Sequence, residues 1–172
     1  MAAVVIGLTI VGGSLVPATG LANEVVDTRQ ERIAELTDAL VADPTNTEVM
    51  LALADAYLEG TTTTDLSTAV RILQVLLQAE PEHAGAYERI VAAYIRGGDW
   101  ANARAAVDDY ATIPSADPVE VAFLDGLVAI RGEGDADAAI DAFDRFLTLA
   151  PDDPRADMIR SLRDQAKKDG GD

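Results

Sequence analysis

Cysteine is absent from the 172 residues, and histidine occurs once. The first absence excludes disulfides, thiolate metal sites and cysteine nucleophiles together, and it leaves the redox compartment unmarked. The second leaves His83 alone between Glu82 and a helix start. Metal and acid–base sites need convergent partners, so it reads as a surface residue. Aromatics make up 5% of the chain. With alanine and leucine abundant, that balance favours helices over a β-sandwich, because both lose little side-chain freedom in a helix. Basic residues are scarce as well: 13 Lys and Arg stand against 30 Asp and Glu, for a net charge of −17 and a pI near 4.2. Such acidity repels phosphates and anionic lipid surfaces, so no nucleic-acid partner is expected, and most of the charge reads as a solvated surface.

The motifs of common chemistries are missing too. Gly97-Gly98 and Gly132-Glu133-Gly134 lack the preceding strand and the following Lys-Ser/Thr of a phosphate cradle. Asp108-Asp109, Asp135 with Asp137, and Asp152-Asp153 lack the ligand spacing of a calcium loop, and most read as acids near helix starts, where the helix dipole favours them. No catalytic residue, no metal and no cofactor is therefore expected, and the chain is read as non-enzymatic.

What is present begins with an apolar stretch. From Ala2 to Asn23 there is no charged residue. About 20 helical residues cross the hydrocarbon layer, so residues 2–22 are long enough to span a membrane. Small residues at Gly20 and Ala22 would also suit signal cleavage before Asn23. The anchor reading is preferred, and either reading places the acidic remainder outside the cytoplasm. The expected organisation is an anchor or uncleaved signal segment over 1–23, one helical domain over 24–168, and a frayed tail over 169–172.

After Asn23 the apolar residues fall at helical spacings. Val25, Ile33, Leu36, Leu40 and Val41 mark a helix ended by Pro44. Met50, Leu53, Ala54 and Tyr57 mark another from Thr47 to Glu59, stopped by Gly60. Four threonines, Thr61–Thr64, read as a slack turn leading to Asp65 as N-cap of a helix over Leu66–Ala79. Further helices are expected over Ala84–Arg96, Trp100–Ala111, Val119–Arg131, Ala136–Leu149 and Pro154–Lys168. The second member of each pair closes at a proline, Pro44, Pro81, Pro114 and Pro151, at intervals of 37, 33 and 37 residues. A period in the thirties marks a helical solenoid, in which each pair buries its apolar face on its neighbours and a final helix caps the array.

At Met50, Leu53, Ala54, Tyr57, Ala69, Leu73, Leu76 and Pro81, and again at Tyr87, Ile90, Val91, Tyr94, Ala103, Val107 and Tyr110, the chain resembles the tetratricopeptide repeat (TPR) family over roughly residues 30–151. Trp100 follows Gly98-Asp99, where that family often has an aromatic. The resemblance implies an all-α, TPR-type helical solenoid of about three repeats, with a leading half-repeat and a C-terminal capping helix. It departs at three extra residues near the threonines and at Asp125, close to a leucine position. In this register Trp100 and the tyrosines read as packing between helices.

The resemblance further implies a concave groove built by the first helices of the pairs. Its expected lining is Leu51, Asp55 and Leu58, with Glu48 and Glu59; then Arg89, Ala92, Ile95 and Arg96, with Glu88; then Phe123, Leu127, Ile130 and Arg131. TPR domains that clamp an acidic chaperone tail carry Lys and Asn where Leu51 and Asp55 stand, which disfavours that ligand. An apolar middle with charges at the rim suits an amphipathic helix or extended peptide of a partner protein. An apolar anchor followed by an acidic TPR array is also similar in architecture to the membrane-anchored TPR subunits of bacterial cytochrome c maturation, which hold apocytochrome before haem attachment. The alternatives are a structural subunit of a membrane complex, packed through small residues such as Gly12-Gly13, and self-association through the same face.

Overall fold

The structure is a computed structural model and describes residues 18–170, with side chains from residue 28 onward. Among the described residues there are eight α-helices, one π-helical turn and no strand. In order they are α1 (Ala18–Ala42), α2 (Thr47–Leu58), α3 (Thr63–Ala79), α4 (Ala84–Gly97), α5 (Trp100–Thr112), α6 (Pro118–Val128) with the π turn Ala129–Glu133, α7 (Ala136–Leu149) and α8 (Ala156–Asp169). Most of the expected anchor lies outside the described residues. The boundary drawn at 23/24 falls within α1, which runs unbroken from Ala18. None of the described helices is long and apolar enough to cross a membrane.

Packing follows the chain. Each helix lies chiefly on the next in sequence, from α1 on α2 through α7 on α8. This is the neighbour-to-neighbour logic of a solenoid, in which two faces of an amphipathic helix are buried by its predecessor and successor. One core cluster joins Met50, Leu73, Leu76, Val91, Val107 and Tyr110 across α2–α6. A second gathers Phe143, Phe146, Ile159 and Ala166 where α6, α7 and α8 meet. A small third cluster, Ile33, Leu53 and Ala56, seats α1 on α2. Residues 156–169 finish the array as the expected cap: Ile159 and Ala166 are fully buried, while most of the opposite face is charged and exposed.

Local chemistry sets the helix starts. Side-chain caps accept the first free N–H groups from Asn46 (Val49, 3.0 Å), Thr62 (Asp65, 3.0 Å), His83 Nδ1 (Ala86, 3.2 Å), Asp99 (Asn102, 3.3 Å), Asp117 (Val119, 2.8 Å) and Asp135 (Ala138, 2.9 Å). The lone histidine thus serves as a helix cap. Gly98 and Gly134, at φ +70° and +67°, make the left-handed turns between the helices of the second and third pairs.

Two expectations are corrected here. Thr61–Thr64 is not a slack turn, and Asp65 is not the N-cap. Thr62 caps α3, its hydroxyl also donating to Asp65 at 2.8 Å, and Thr63 and Thr64 form the first turn of the helix. Thr62 Oγ1 accepts the Asp65 N–H and donates its own proton to the Asp65 carboxylate, so the threonine takes the cap and the acid is held within the first turn, where the helix dipole favours it. The extra residues of the first repeat accordingly lie elsewhere than in the turn. From cap to cap, Asn46 to Thr62 spans 16 positions, as does His83 to Asp99, so the surplus lengthens α3 to 17 residues against 13 in α5. In the third repeat Asp117 to Asp135 spans 18, and the two additional residues are taken up by the π turn.

Asp125, the other departure from the repeat pattern, is half-buried between two arginines. Arg104 of α5 donates to it at 2.6 Å, and Arg145 of α7 pairs with its second oxygen. Arg104 also reaches Glu133 at 3.0 Å and Asp108 at 3.4 Å. Burial alone would lower the Arg104 pKa, but its bonds to Glu133 and Asp125 raise it above the ordinary arginine value. Near the position where the repeat pattern has a leucine, this chain places a satisfied ionic contact between α5, α6 and α7.

Tyr110 is fully buried, stacks on Tyr87 at 6.1 Å between ring centres, donates to Glu88 at 2.8 Å and accepts from the Asp117 N–H at 3.1 Å. Burial, reinforced by Glu88, pushes its hydroxyl up to about 12. A tyrosine whose folded-state pKa lies above the unfolded value stabilises the fold fully below about pH 10, and that contribution is lost as pH rises through about 12. Denaturant titrations are expected to show stability falling between pH 10 and 12. Tyr110→Phe should flatten that fall while costing about 1–3 kcal/mol at pH 8, since Glu88 and the Asp117 N–H lose their partner.

Candidate protein-binding groove

Residues three or four apart on a helix share a face, so Glu48, Leu51, Asp55 and Leu58 form one stripe along α2. The matching stripe of α4 is Arg89, Ala92, Ile95 and Arg96. These stripes meet. Arg89 grips Asp55 with two nitrogens, at 2.7 and 3.0 Å, and donates a third bond to the Gly85 carbonyl at 2.9 Å. The hydrogen bond to Asp55 raises the Arg89 pKa. Arg96 donates to the Leu58 carbonyl and, at 2.8 Å, to the Gly60 carbonyl, closing the last turn of α2. Arg89 and Arg96 are therefore engaged within the chain, where they hold two first helices side by side.

Around these ties the surface is apolar. Leu51, Leu58, Ile95 and Phe123 are half-buried, each packing on the edge of the main core. Ile130 packs on the second core and Leu127 is half-buried beside it, whereas Ala92 and Arg131 are exposed. Arg131 has no hydrogen-bond or ion-pair partner among the described residues, in contrast to Arg96 at the equivalent end of α4. Glu59 pairs with Arg32 of α1. Glu88 leaves the groove face and turns to Tyr110.

Sequence reasoning missed Arg155. It stands just before α8, outside every repeat position, and its guanidinium lies 4.8 Å from the Phe123 ring centre and 5.1 Å from that of Phe146. Asp153 at 3.1 Å and Glu120 at 2.7 Å hold it there, and the bond to Asp153 raises its pKa first. One face of Phe123 is covered by a cation, so the bare part of the groove runs from Leu51 to Ile130. The aromatics not in this face, Tyr87, Tyr94, Tyr110 and Trp100, pack between helices, Trp100 directly on Gly132.

The geometry suits non-covalent capture of a partner segment. Among the described residues no group of three or more His, Asp or Glu is placed to hold a metal ion.

No protein-family model matches the chain, and no curated protein sequence matches it. Solved structures do match its fold. A tetratricopeptide repeat protein from Parabacteroides merdae ATCC 43184 is similar with a TM-score of 0.68 at 19% identity, over 88% of this chain and 56% of that one. The chain thus spans a little over half the length of that relative. Two crystal structures of MamA are similar at 22% identity, with TM-scores of 0.66 and 0.64, covering 91% and 88% of this chain and 92% and 84% of theirs. The fold of residues 18–170 is that of a TPR-type helical solenoid.

Proposed function

We propose that the chain is a non-enzymatic interaction module that holds a segment of another protein along the face formed by α2, α4 and α6. The observation that carries this reading is the stripe of half-buried apolar side chains, Leu51, Leu58, Ile95, Leu127 and Ile130, left without a covering helix among the described residues. Apolar surface of that kind usually marks a binding site. Residues 2–22 tether the module to a bacterial membrane with the acidic solenoid on the extracytoplasmic side, and the captured segment belongs to an unfolded apocytochrome awaiting haem attachment. The support for these finer points is architectural: an uncharged span long enough for a membrane, followed by an acidic solenoid without catalytic groups.

Pull-down of the purified chain with apocytochrome C-terminal peptides tests them. Retention is expected, with a loss of at least about tenfold in Leu58→Asp and Ile95→Asp, checked for intact helical circular dichroism. No retention removes the apocytochrome assignment. Retention untouched by both substitutions removes the groove.

A further inference from the structure

The charges that face the groove are not free in equal measure. Of the arginines on it, Arg89 is held by Asp55 and Gly85, and Arg96 by the carbonyls of Leu58 and Gly60, while Arg131, at the far end of the third repeat, is exposed and has no partner among the described residues. A ligand carboxylate arriving over the first two repeats would have to break an existing pair to be bound, and a bidentate arginine–carboxylate bond is among the stronger hydrogen bonds a protein makes. The acids of this face divide as well: Asp55 is held by Arg89, Glu59 pairs with Arg32 and Glu88 turns to Tyr110. Glu48, on the same stripe as Leu51, is exposed and has no partner among the described residues. The loops joining successive pairs form one edge of the array, and there Glu82 and Asp152 are exposed with side chains likewise unpaired, while Glu80 has only His83, at 4.0 Å. The edge at which the first helices begin thus carries more unpaired acid than the groove has free cation, which among the described residues is Arg131 alone, within a chain of net charge −17.

We propose, on the footing of the groove reading above, that the occupant is an amphipathic helix of a partner protein that lays an apolar face on Leu51, Leu58, Ala92, Ile95, Leu127 and Ile130 and carries lysine or arginine along its flank. Charge complementarity selects this partner over an acidic tail, and it disfavours a second copy of the chain, since two bodies of charge −17 repel. The first helices of three pairs, set about 10 Å apart, present roughly 20–30 Å of groove, enough for about 18 residues of helix.

The test uses three synthetic helical peptides of about 18 residues: leucine on one face with lysine flanks, the same with glutamate flanks, and the lysine peptide with its leucines changed to serine. Binding to the full chain is read by fluorescence anisotropy. The lysine peptide is expected to bind at least about tenfold tighter than either of the others at near-physiological salt, and its lead over the glutamate peptide should shrink at high salt. Glu48→Lys should lower its affinity several-fold. Ala92→Arg, at an exposed position that leaves the core intact, should weaken all binding. Equal affinity for the lysine and glutamate peptides, both lost in Ala92→Arg, overturns the charge preference and leaves the groove reading standing. Lysine-peptide binding untouched by Ala92→Arg overturns both. Failure of the lysine peptide to bind, or dimerisation of the chain that Ala92→Arg abolishes, overturns the proposal.

Discussion

Replacing Phe146 with alanine is expected to lower the free energy of unfolding by about 3–5 kcal/mol in urea denaturation, the usual cost of deleting a buried aromatic ring. Phe146 is fully buried, lies tilted against Phe123 at 6.2 Å between ring centres, and offers Arg155 its second aromatic face. Its loss removes the centre of the second core cluster and half the platform that positions Arg155 at the entry to α8. Because packing runs between neighbours, the damage should remain near the C-terminal end. Amide hydrogen exchange is expected to quicken in α6, α7 and α8 while α2 and α4 keep their protection. Equal acceleration in every helix would show that the array opens as one unit.

Gly126→Val should be nearly as severe, for the opposite reason. A Cβ at this position would stand 2.4, 2.6 and 2.9 Å from three ring atoms of Phe143, which is itself fully buried. Neither α6 nor the ring can retreat without disturbing its other contacts, and overpacking of this kind costs about 1–3 kcal/mol or more. The expected readout is a lowered denaturation midpoint with a rise in exposed apolar surface around α6 and α7. Pairing the milder Gly126→Ala with Phe143→Leu, which shortens the obstructing side chain, should recover part of the loss. If the double variant is no more stable than the sum of its parts predicts, the contact is not the cause.

The apolar spacing made the helices and their order legible, because a buried residue such as Leu53, Ile90 or Val107 shares its helix face with others three or four positions away, here Met50 and Ala56, Ala86 and Ala93, and Ala103 and Tyr110, all buried too. The prolines were a poorer ruler. The 37 residues from Pro44 to Pro81 pointed to an insertion beside the threonines, yet the extra length lies within α3. Thr62 and Asp65 are both good capping residues, and local pattern alone does not choose between them; in the folded chain Asp65 is held instead by Thr62 at 2.8 Å and lies 3.7 Å from Arg29. The same limit applied to the groove. Periodicity placed Arg89 and Asp55 on its face, but their pairing depends on the relative height of two helices whose partners are 34 residues apart. Arg155 over Phe123 belongs to the same class: a contact made by stacking, which no spacing along the chain encodes.

The ionic ties also divide the array mechanically. Between the first and second pairs they lie on the inner side, Arg89 with Asp55 and Arg96 with the end of α2. Between the second and third they lie on the outer side, where Arg104, Asp125 and Arg145 link α5, α6 and α7, while hydrogen bonds through Tyr110 join Glu88 of α4 to the start of α6. The first joint is thus pinned at the mouth of the groove and the second at its back. The two joints therefore rest on different faces of the first helices: the first on Asp55, which shares the stripe of Leu51 and Leu58, the second on Asp125, two residues from both Phe123 and Leu127 and so on the opposite side of α6 from them.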